Sequence, residues 1–211
     1  MIRKTLLTLT LLVFAFSAQA AQDFDEGIDY ATLPNPVKTS NPDKVVVTEI
    51  FWYGCPHCFR FEPYIEKYKA NLPEGVVLEQ VPSVLNPSWA EHARAYFALK
   101  QMGVVDKVHK QIFDAMHLKR MRLNNVDDMA KFVARYGVDE KKFREMYHSF
   151  PVDTMIRKSG QIERKYGHSG VPTVIVNGKY RTSGSMTGSN AKTIQVIDYL
   201  VRKELAEKNK N

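Results

Sequence analysis

The stretch FWYGCPHCFRFE, residues 51–62, contains both cysteines of the 211-residue chain. A run of β-branched and apolar residues, 45–51, leads into it and predicts a buried strand. The residues that follow predict a helix over about 55–70. Cys55 is therefore expected where a strand passes into a helix, with its sulfur facing the helix N-terminus.

The tetrapeptide Cys55-Pro56-His57-Cys58 favours redox chemistry. Unpaired N–H groups and the helix dipole stabilise a thiolate at Cys55. His57 adds a hydrogen-bond donor or a positive charge, and Pro56 fits the first helical turn because it has no N–H to lose. A lowered pKa of Cys55 stabilises the dithiol form, so the disulfide is expected to oxidise other proteins. Cys55 is predicted to be the exposed nucleophile, and Cys58, one turn further in and more buried, the resolving thiol.

Two structural roles compete with redox exchange for this cysteine pair. A disulfide across four residues constrains the unfolded chain by only roughly 2 kcal/mol, against about 3 kcal/mol for a fifteen-residue loop. A zinc site would need histidine ligands, and no histidine pair after the cysteines has zinc-finger spacing. We therefore expect neither a bound metal nor a cofactor.

The first twenty residues resemble a secretory signal peptide. Met-Ile-Arg-Lys is followed by an apolar run, 5–18, and by the small residues of an Ala-x-Ala site. The alternative, a membrane anchor, would need about 18–20 apolar residues, more than this run supplies. We expect cleavage after Ala20 and export to the periplasm, an oxidising compartment.

The rest of the chain predicts one α/β domain interrupted by helices. Apolar residues make up 44% and charged residues 25%, which is typical of a globular protein. Strands are expected over 45–51, 76–81, 171–176 and 179–182, and helices over 55–70, 87–150 (several), 152–166 and 191–208. A βαβ half and a ββα half are thus separated by about sixty helical residues. The predicted domain comprises 21–86 and 151–211, with 87–150 as the helical insertion.

Residues 51–62 resemble the active-site stretch of the DsbA thiol:disulfide oxidases, which belong to the thioredoxin superfamily. Residues 170–173 and 176–180 resemble that family's cis-proline loop and following hairpin, and 103–108 a segment of its helical insertion. The resemblance implies a thioredoxin fold with an inserted all-helical domain. It implies an oxidase that donates the Cys55–Cys58 disulfide to reduced, newly exported proteins through a mixed disulfide on Cys55. A DsbB-like membrane partner would then reoxidise it.

The resemblance also implies a substrate-binding surface beside the cysteines. The Val171–Pro172 peptide bond should be cis and face the CPHC motif, and Pro172 should keep metals off the two thiols. The backbone of Val171 should pair with an extended substrate segment. Phe51 and Trp52 are expected to line an apolar groove there, with a place in the core as the equal alternative for Trp52.

Glu49 matches a buried acidic residue beneath the family's active site. Its implied role is to take up or relay the proton of Cys58, and burial should raise its pKa. The alternative is a surface carboxylate at a strand edge. Some relatives place a lysine beside this acid, where this chain has Gln80, so the acid would lack a charged partner. Glu62 is a candidate modulator or simply part of a solvated helix face.

Other functions account for the sequence less well. Isomerases of this superfamily usually carry a separate dimerisation domain, for which this chain has no spare length. A binding protein without turnover would not need both cysteines. The basic residues Lys119, Arg120 and Arg122 form a cluster too short for nucleic-acid binding, without interleaved aromatic residues, and are expected at a solvated helix end. We expect no nucleic-acid partner and a monomer. Among the histidines, His168 is the one hardest to set aside, since it lies close to the proline loop.

Overall fold

The computed structural model describes residues 23–210, so the predicted signal peptide lies outside the described part of the chain. Its centre is a sheet of five strands: β1 (Ala31–Thr32), β2 (Val45–Phe51), β3 (Val76–Pro82), β4 (Thr173–Val176) and β5 (Tyr180–Thr182). Their order in the sheet is β1-β5-β4-β2-β3. β2 pairs parallel with β3 and antiparallel with β4, whereas β5 is antiparallel to both β4 and β1. Every residue of β2 is buried, as its continuous apolar run predicts.

Eight helices surround this sheet in the described residues. They are α1 (Pro56–Lys69), α2 (Ala90–Gln101), α3 (Val105–His117), α4 (Val126–Ala134), α5 (Glu140–Tyr147), α6 (Phe150–Tyr166), α7 (Gly184–Thr187) and α8 (Asn190–Lys208). The stretch predicted as helical, 87–150, contains a short 3₁₀ turn and then α2 to α5. Side-chain caps begin two of these helices: Asn125 accepts a hydrogen bond from Asp128 N, and Asp139 from Lys142 N. In the described part of the chain, every helix is too short or too polar to cross a lipid bilayer.

Two hydrophobic cores meet at the end of β2. One core lies between the sheet and helices α1 and α8 and includes Val47, Ile65 and Ile197. The other fills the helical insertion and also contains Cys55 and Cys58. The cysteine pair therefore lies at the junction between the sheet and the inserted helices. This arrangement is the thioredoxin fold with a helical insertion, as the resemblance implied.

Candidate active site

Cys55 lies at the point where β2 ends and α1 begins. It is the N-cap residue of α1, with extended backbone angles (φ −85°, ψ 118°), and Pro56 occupies the first turn as expected. Both cysteines are free thiols. Cys58 is fully buried, as predicted, and Cys55 is the more accessible of the two. The prediction that Cys55 is exposed is wrong, because it is only 7% exposed, with the Val171 carbonyl lying against its sulfur. His57 is exposed, and its Nδ1 lies 3.0 Å from Nη2 of Arg60.

The two thiols have opposite electrostatic environments. The pKa of Cys55 is lowered most by a hydrogen bond from Cys58. Backbone N–H groups at the start of the helix and the charge of His57 lower it further. Together they outweigh burial and lower the pKa of Cys55 from 9.0 to about 6. Burial raises the pKa of Cys58 well above its usual value, and the neighbouring Cys55 raises it further. At neutral pH the pair therefore holds one proton, on Cys58.

The loop before β4 faces Cys55, as the resemblance implied. The Val171–Pro172 peptide bond is cis. The Sγ atom of Cys55 lies 3.3 Å from the carbonyl oxygen of Val171, which accepts its hydrogen bond when Cys55 is a thiol. Beside this contact, a cleft of about 640 Å³ separates the loop and His57 from α7 and the start of α8. Its walls carry small polar side chains, including Ser169 and Asn190.

The two aromatic residues before the cysteines have different surroundings. Trp52 is half-buried; it stacks on Trp89 at 4.5 Å between ring centroids, and its Nε1 donates a hydrogen bond of 2.9 Å to His92. Phe51 is 1% exposed and packs edge-to-face on Tyr53 inside the insertion core. The prediction that Phe51 lines a substrate groove is therefore wrong. Both faces of β2 are covered, and the face that carries Phe51 packs against the core of the helical insertion.

Glu49 is buried, with only 1% of its surface exposed. It is paired in register with Gln80 on β3, whose Nε2 donates a hydrogen bond of 2.9 Å to Glu49 Oε2. Burial is the main cause that raises the pKa of Glu49 to about 8, and the charge of Glu62 raises it further, against the opposing effect of the Gln80 hydrogen bond. The expected burial and raised pKa of Glu49 are confirmed. Glu62 is also buried, so the alternative of a solvated helix face is wrong for this residue.

His109 is a member of this cluster that the sequence reasoning missed. Its Nδ1 lies 2.7 Å from the hydroxyl of Tyr53, and its Nε2 lies 3.3 Å from Gln80 Nε2 and 3.4 Å from Glu62 Oε1. The signal was available, because His109 falls between Val108 and Ile112 on the apolar side of α3.

His168 is buried beside the proline loop and lines the cleft. Its Nε2 lies 3.4 Å from Glu163 Oε2. Among the described residues, neither ring nitrogen of His168 has a hydrogen-bond partner. Glu163 in turn accepts hydrogen bonds from the Ser83 hydroxyl (2.7 Å) and from Val84 N (2.8 Å). In the described part of the chain, the metal-ligating residue types nowhere form a group of three or more arranged to hold an ion.

Comparison with known proteins agrees with this geometry. The family model of the DSBA-like thioredoxin domain matches residues 46–195. The thiol:disulfide interchange protein DsbA of Pseudomonas aeruginosa is 38% identical over 210 residues, covering 99% of this chain and all of that protein. DsbA of Pseudomonas syringae pv. tomato is 41% identical over 194 residues, covering 92% of this chain and 91% of that protein.

Solved structures show the same fold. The crystal structure of Pseudomonas aeruginosa DsbA superposes with a TM-score of 0.85 at 38% identity, covering 88% of this chain and 97% of that one. The oxidoreductase NmDsbA1 from Neisseria meningitidis gives a TM-score of 0.77 at 28% identity, covering 88% and 96%. The protein is thus an oxidoreductase of the thiol:disulfide interchange type. On the match over residues 46–195 and on relatives aligned along nearly the whole sequence, the chain belongs to the DsbA-like thioredoxin domain family.

Proposed function

We propose that this protein is an oxidase that donates the Cys55–Cys58 disulfide to reduced, newly exported proteins. The observation that carries the proposal is the contrast between the two thiols, a pKa of about 6 at Cys55 and one raised well above 9.0 at Cys58. At pH 7 ionisation of Cys55 favours the dithiol form by about 1.4 kcal/mol, or about 30 mV for a two-electron couple. A stabilised dithiol makes the disulfide a stronger oxidant.

The exchange takes two displacements. A substrate thiolate attacks Sγ of Cys55, the bond to Cys58 breaks, and Cys58 leaves and takes up a proton, with Glu49 as the proton donor. The second substrate thiolate then attacks the substrate sulfur of the mixed disulfide. Cys55 leaves as a thiolate, the substrate is oxidised by two electrons, and the Cys55–Cys58 pair is reduced by the same two.

The substrate would bind where the proline loop meets the N-terminus of α1. An extended segment would pair with the backbone of Val171 in the manner of an added strand, next to Pro172 and Trp52. The adjoining cleft of about 640 Å³ would accommodate the residues that follow the substrate cysteine. Because its walls are polar and apolar in about equal measure, we expect broad tolerance of substrate sequence rather than a demand for apolar residues.

The remaining parts of the proposal concern location and partners. Cleavage after Ala20 would release the chain into the periplasm as a monomer, where a DsbB-like membrane oxidase would restore the disulfide. The basic residues Lys119, Arg120 and Arg122 follow α3 as an exposed segment, and we propose no nucleic-acid partner.

The reduction potential tests the proposal most directly. Residues 21–211 would be equilibrated in glutathione buffers of graded ratio, and the fraction of dithiol measured by alkylation. We expect a potential well above that of the glutathione pool. A value near that of thioredoxin, about −270 mV, would refute the oxidase assignment.

Paired variants test the roles of the two cysteines. Cys58→Ser would first be loaded as a mixed disulfide of Cys55 with glutathione, which supplies the oxidising equivalents. With a reduced substrate that has one cysteine, it should release glutathione and accumulate the Cys55–substrate mixed disulfide, because neither Cys58 nor a second substrate thiol remains to displace the substrate. Cys55→Ser should form no such adduct. A Cys55→Ser protein that kept full biological activity would instead support a binding protein without turnover.

A further inference from the structure

The cleft beside the proline loop carries a positive charge that has no carboxylate partner in the described part of the chain. Arg181, on β5, is half-buried and lines this cleft of about 640 Å³. The described residues that line it include two histidines besides Arg181, but no Asp or Glu, and its other polar side chains are hydroxyls and one amide. A cleft lined by one sign of charge raises the local concentration of ligands of the opposite sign. This cleft therefore favours an anionic ligand.

Arg181 uses one of its three guanidinium nitrogens in the fold. Its Nη1 donates to the backbone carbonyls of Tyr166 (3.2 Å) and Gly167, at the C-terminal end of α6. A helix end supplies only about half a negative charge, so it does not neutralise the guanidinium. Among the described residues, nothing accepts a hydrogen bond from Nε or Nη2. These two nitrogens form one edge of the guanidinium, and such an edge binds a carboxylate through two parallel hydrogen bonds.

Two further features add positive potential along the cleft. The first is α8, a helix of 19 residues whose N-cap, Ser189, lines the cleft, so the positive end of its dipole lies there. The second is Arg60, whose Nη2 lies 3.0 Å from Nδ1 of His57, a residue of the cleft wall. Arg60 is exposed and forms no ion pair with any residue that the structure describes. Positive groups from α1, β5 and α8 therefore line or adjoin the cleft.

Two carboxylates next to the cleft are held by other donors. Glu163 Oε2 lies 3.4 Å from Nε2 of His168, but Glu163 is only 1% exposed and does not line the cleft. It accepts hydrogen bonds from three other residues, Ser83, Val84 and Ser159. Asp29 pairs with Lys192, in the first turn of α8, at 2.6 Å. Neither carboxylate pairs with Arg181, so its charge remains for a ligand.

We propose that Arg181 is a specificity-determining residue that binds a carboxylate of the substrate segment in this cleft. The inference rests on the proposed function, which places the residues after the substrate cysteine there. The favoured substrates are then reduced proteins with Asp or Glu a few residues after the reacting cysteine. An extended segment advances about 3.3 Å per residue, so three residues span about 10 Å of the cleft. The carboxylate exchanges no electrons, and the preference is added to a broad tolerance of other sequences.

Matched peptides test this preference. Each has blocked ends and two cysteines followed by either Glu-Glu-Glu or Gln-Gln-Gln, so the register along the cleft need not be known. The two peptide thiols form a disulfide, and their two electrons reduce the Cys55–Cys58 disulfide of the oxidised protein. Its loss is followed at low ionic strength by acid quenching and alkylation. The Glu/Gln rate ratio is compared between protein variants, which cancels differences between the peptides themselves. In Arg181→Gln this ratio should fall at least about fivefold, while the rate with the Gln peptide stays within about twofold of wild type.

Arg135→Gln is the charge control, because Arg135 is exposed at the end of α4 and does not line the cleft. It should keep the wild-type Glu/Gln ratio. An equal fall of the ratio in Arg135→Gln and Arg181→Gln would overturn the proposal, since the net charge alone would then attract the acidic peptide. So would an unchanged ratio in Arg181→Gln, even with both peptides slower, since Arg181 would then only support the end of α6.

Ser185→Glu covers the case in which Arg181→Gln does not fold. Ser185 is exposed on α7 and lines the cleft, so a carboxylate there would compete with the peptide for Arg181. The Glu/Gln ratio should be at least about fivefold lower than in the matched control Ser185→Gln. Equal ratios in these two variants would overturn the proposal. Failure of the oxidase assignment is separate, since it would appear as a low reduction potential in the wild-type protein and would leave the Glu/Gln ratio unaffected.

Discussion

Replacing Cys58 by alanine or serine should reveal what holds Cys55 as a thiolate. In the structure the pKa of Cys55 falls from 9.0 to about 6, and the hydrogen bond from Cys58 is the largest cause. One pKa unit corresponds to about 1.4 kcal/mol. A hydrogen bond to a charged group is worth about 1.5–3 kcal/mol. Cys58→Ala should therefore raise the pKa of Cys55 to between about 7 and 8.

Cys58→Ser is the matched comparison, because its hydroxyl keeps a hydrogen-bond donor at the same place. We expect the pKa of Cys55 in this variant to stay within about half a unit of the wild-type value, since a hydroxyl donates at least as well as a thiol. Each variant has one cysteine, so the pH dependence of alkylation by iodoacetamide reports Cys55 alone. Equal pKa values near 6 in both variants would refute the reasoning, and would show that the helix N-terminus and His57 act without help from Cys58.

Three further predictions concern stability and the aromatic surface. Because the raised pKa of Glu49 contributes stability that is complete below pH 4.5 and lost as the pH rises through about 8, Glu49→Gln should be more stable than wild type by about 2–3 kcal/mol at pH 7. Chemical denaturation would show a gap that widens between those pH values, and a constant gap would contradict it. The lowered pKa of Cys55 contributes stability to the reduced protein that is complete above pH 9 and lost as the pH falls through about 6. Between these limits the free energy of unfolding of the reduced protein should rise, relative to that of the oxidised protein, by about 1.4 kcal/mol per pH unit. Equal pH dependence of the two redox forms in thermal unfolding would speak against that. In Gly54→Ala the new methyl group would overlap the Trp52 indole, so we expect altered tryptophan fluorescence and about 1–3 kcal/mol of destabilisation with an unchanged pKa of Cys55; an unaltered spectrum would show that the indole is not displaced.

The parts of the fold that the sequence predicted are those with strong local signals. The apolar run of β2 and the Asn-Gly turn between β4 and β5 each specify their own conformation. The turn-like α7, four residues long, has no apolar period and was missed. The sequence did not predict which of Phe51 and Trp52 is buried, because both are aromatic and only the tertiary packing distinguishes them.

The candidate site was predictable where its residues are adjacent in sequence, and less so where they are not. Cys55 and Cys58 share one tetrapeptide, so their difference in burial followed from helix geometry. The cause of the low pKa of Cys55 was ranked differently, because local reasoning emphasised the helix dipole and His57, whereas the structure places the Cys58 hydrogen bond first. His109 is 60 residues and several elements away from Glu49, so nothing local could indicate that Gln80 would bring the two together.

One structural feature gives the two cysteines their different chemistry. At the N-cap of α1, Cys55 keeps 7% of its surface exposed, whereas Cys58, one turn further along the helix, is fully buried. Burial, and after it the hydrogen bond with Cys55, keeps Cys58 protonated, and the same hydrogen bond lowers the pKa of Cys55 and so prepares it to leave as a thiolate. In the proposed exchange a substrate would attack Cys55, the more accessible of the two, and the mixed disulfide would be resolved by expelling the more stable thiolate. The same burial isolates Cys58 from water, so in the proposed exchange its proton would come from the buried Glu49 and not directly from solvent.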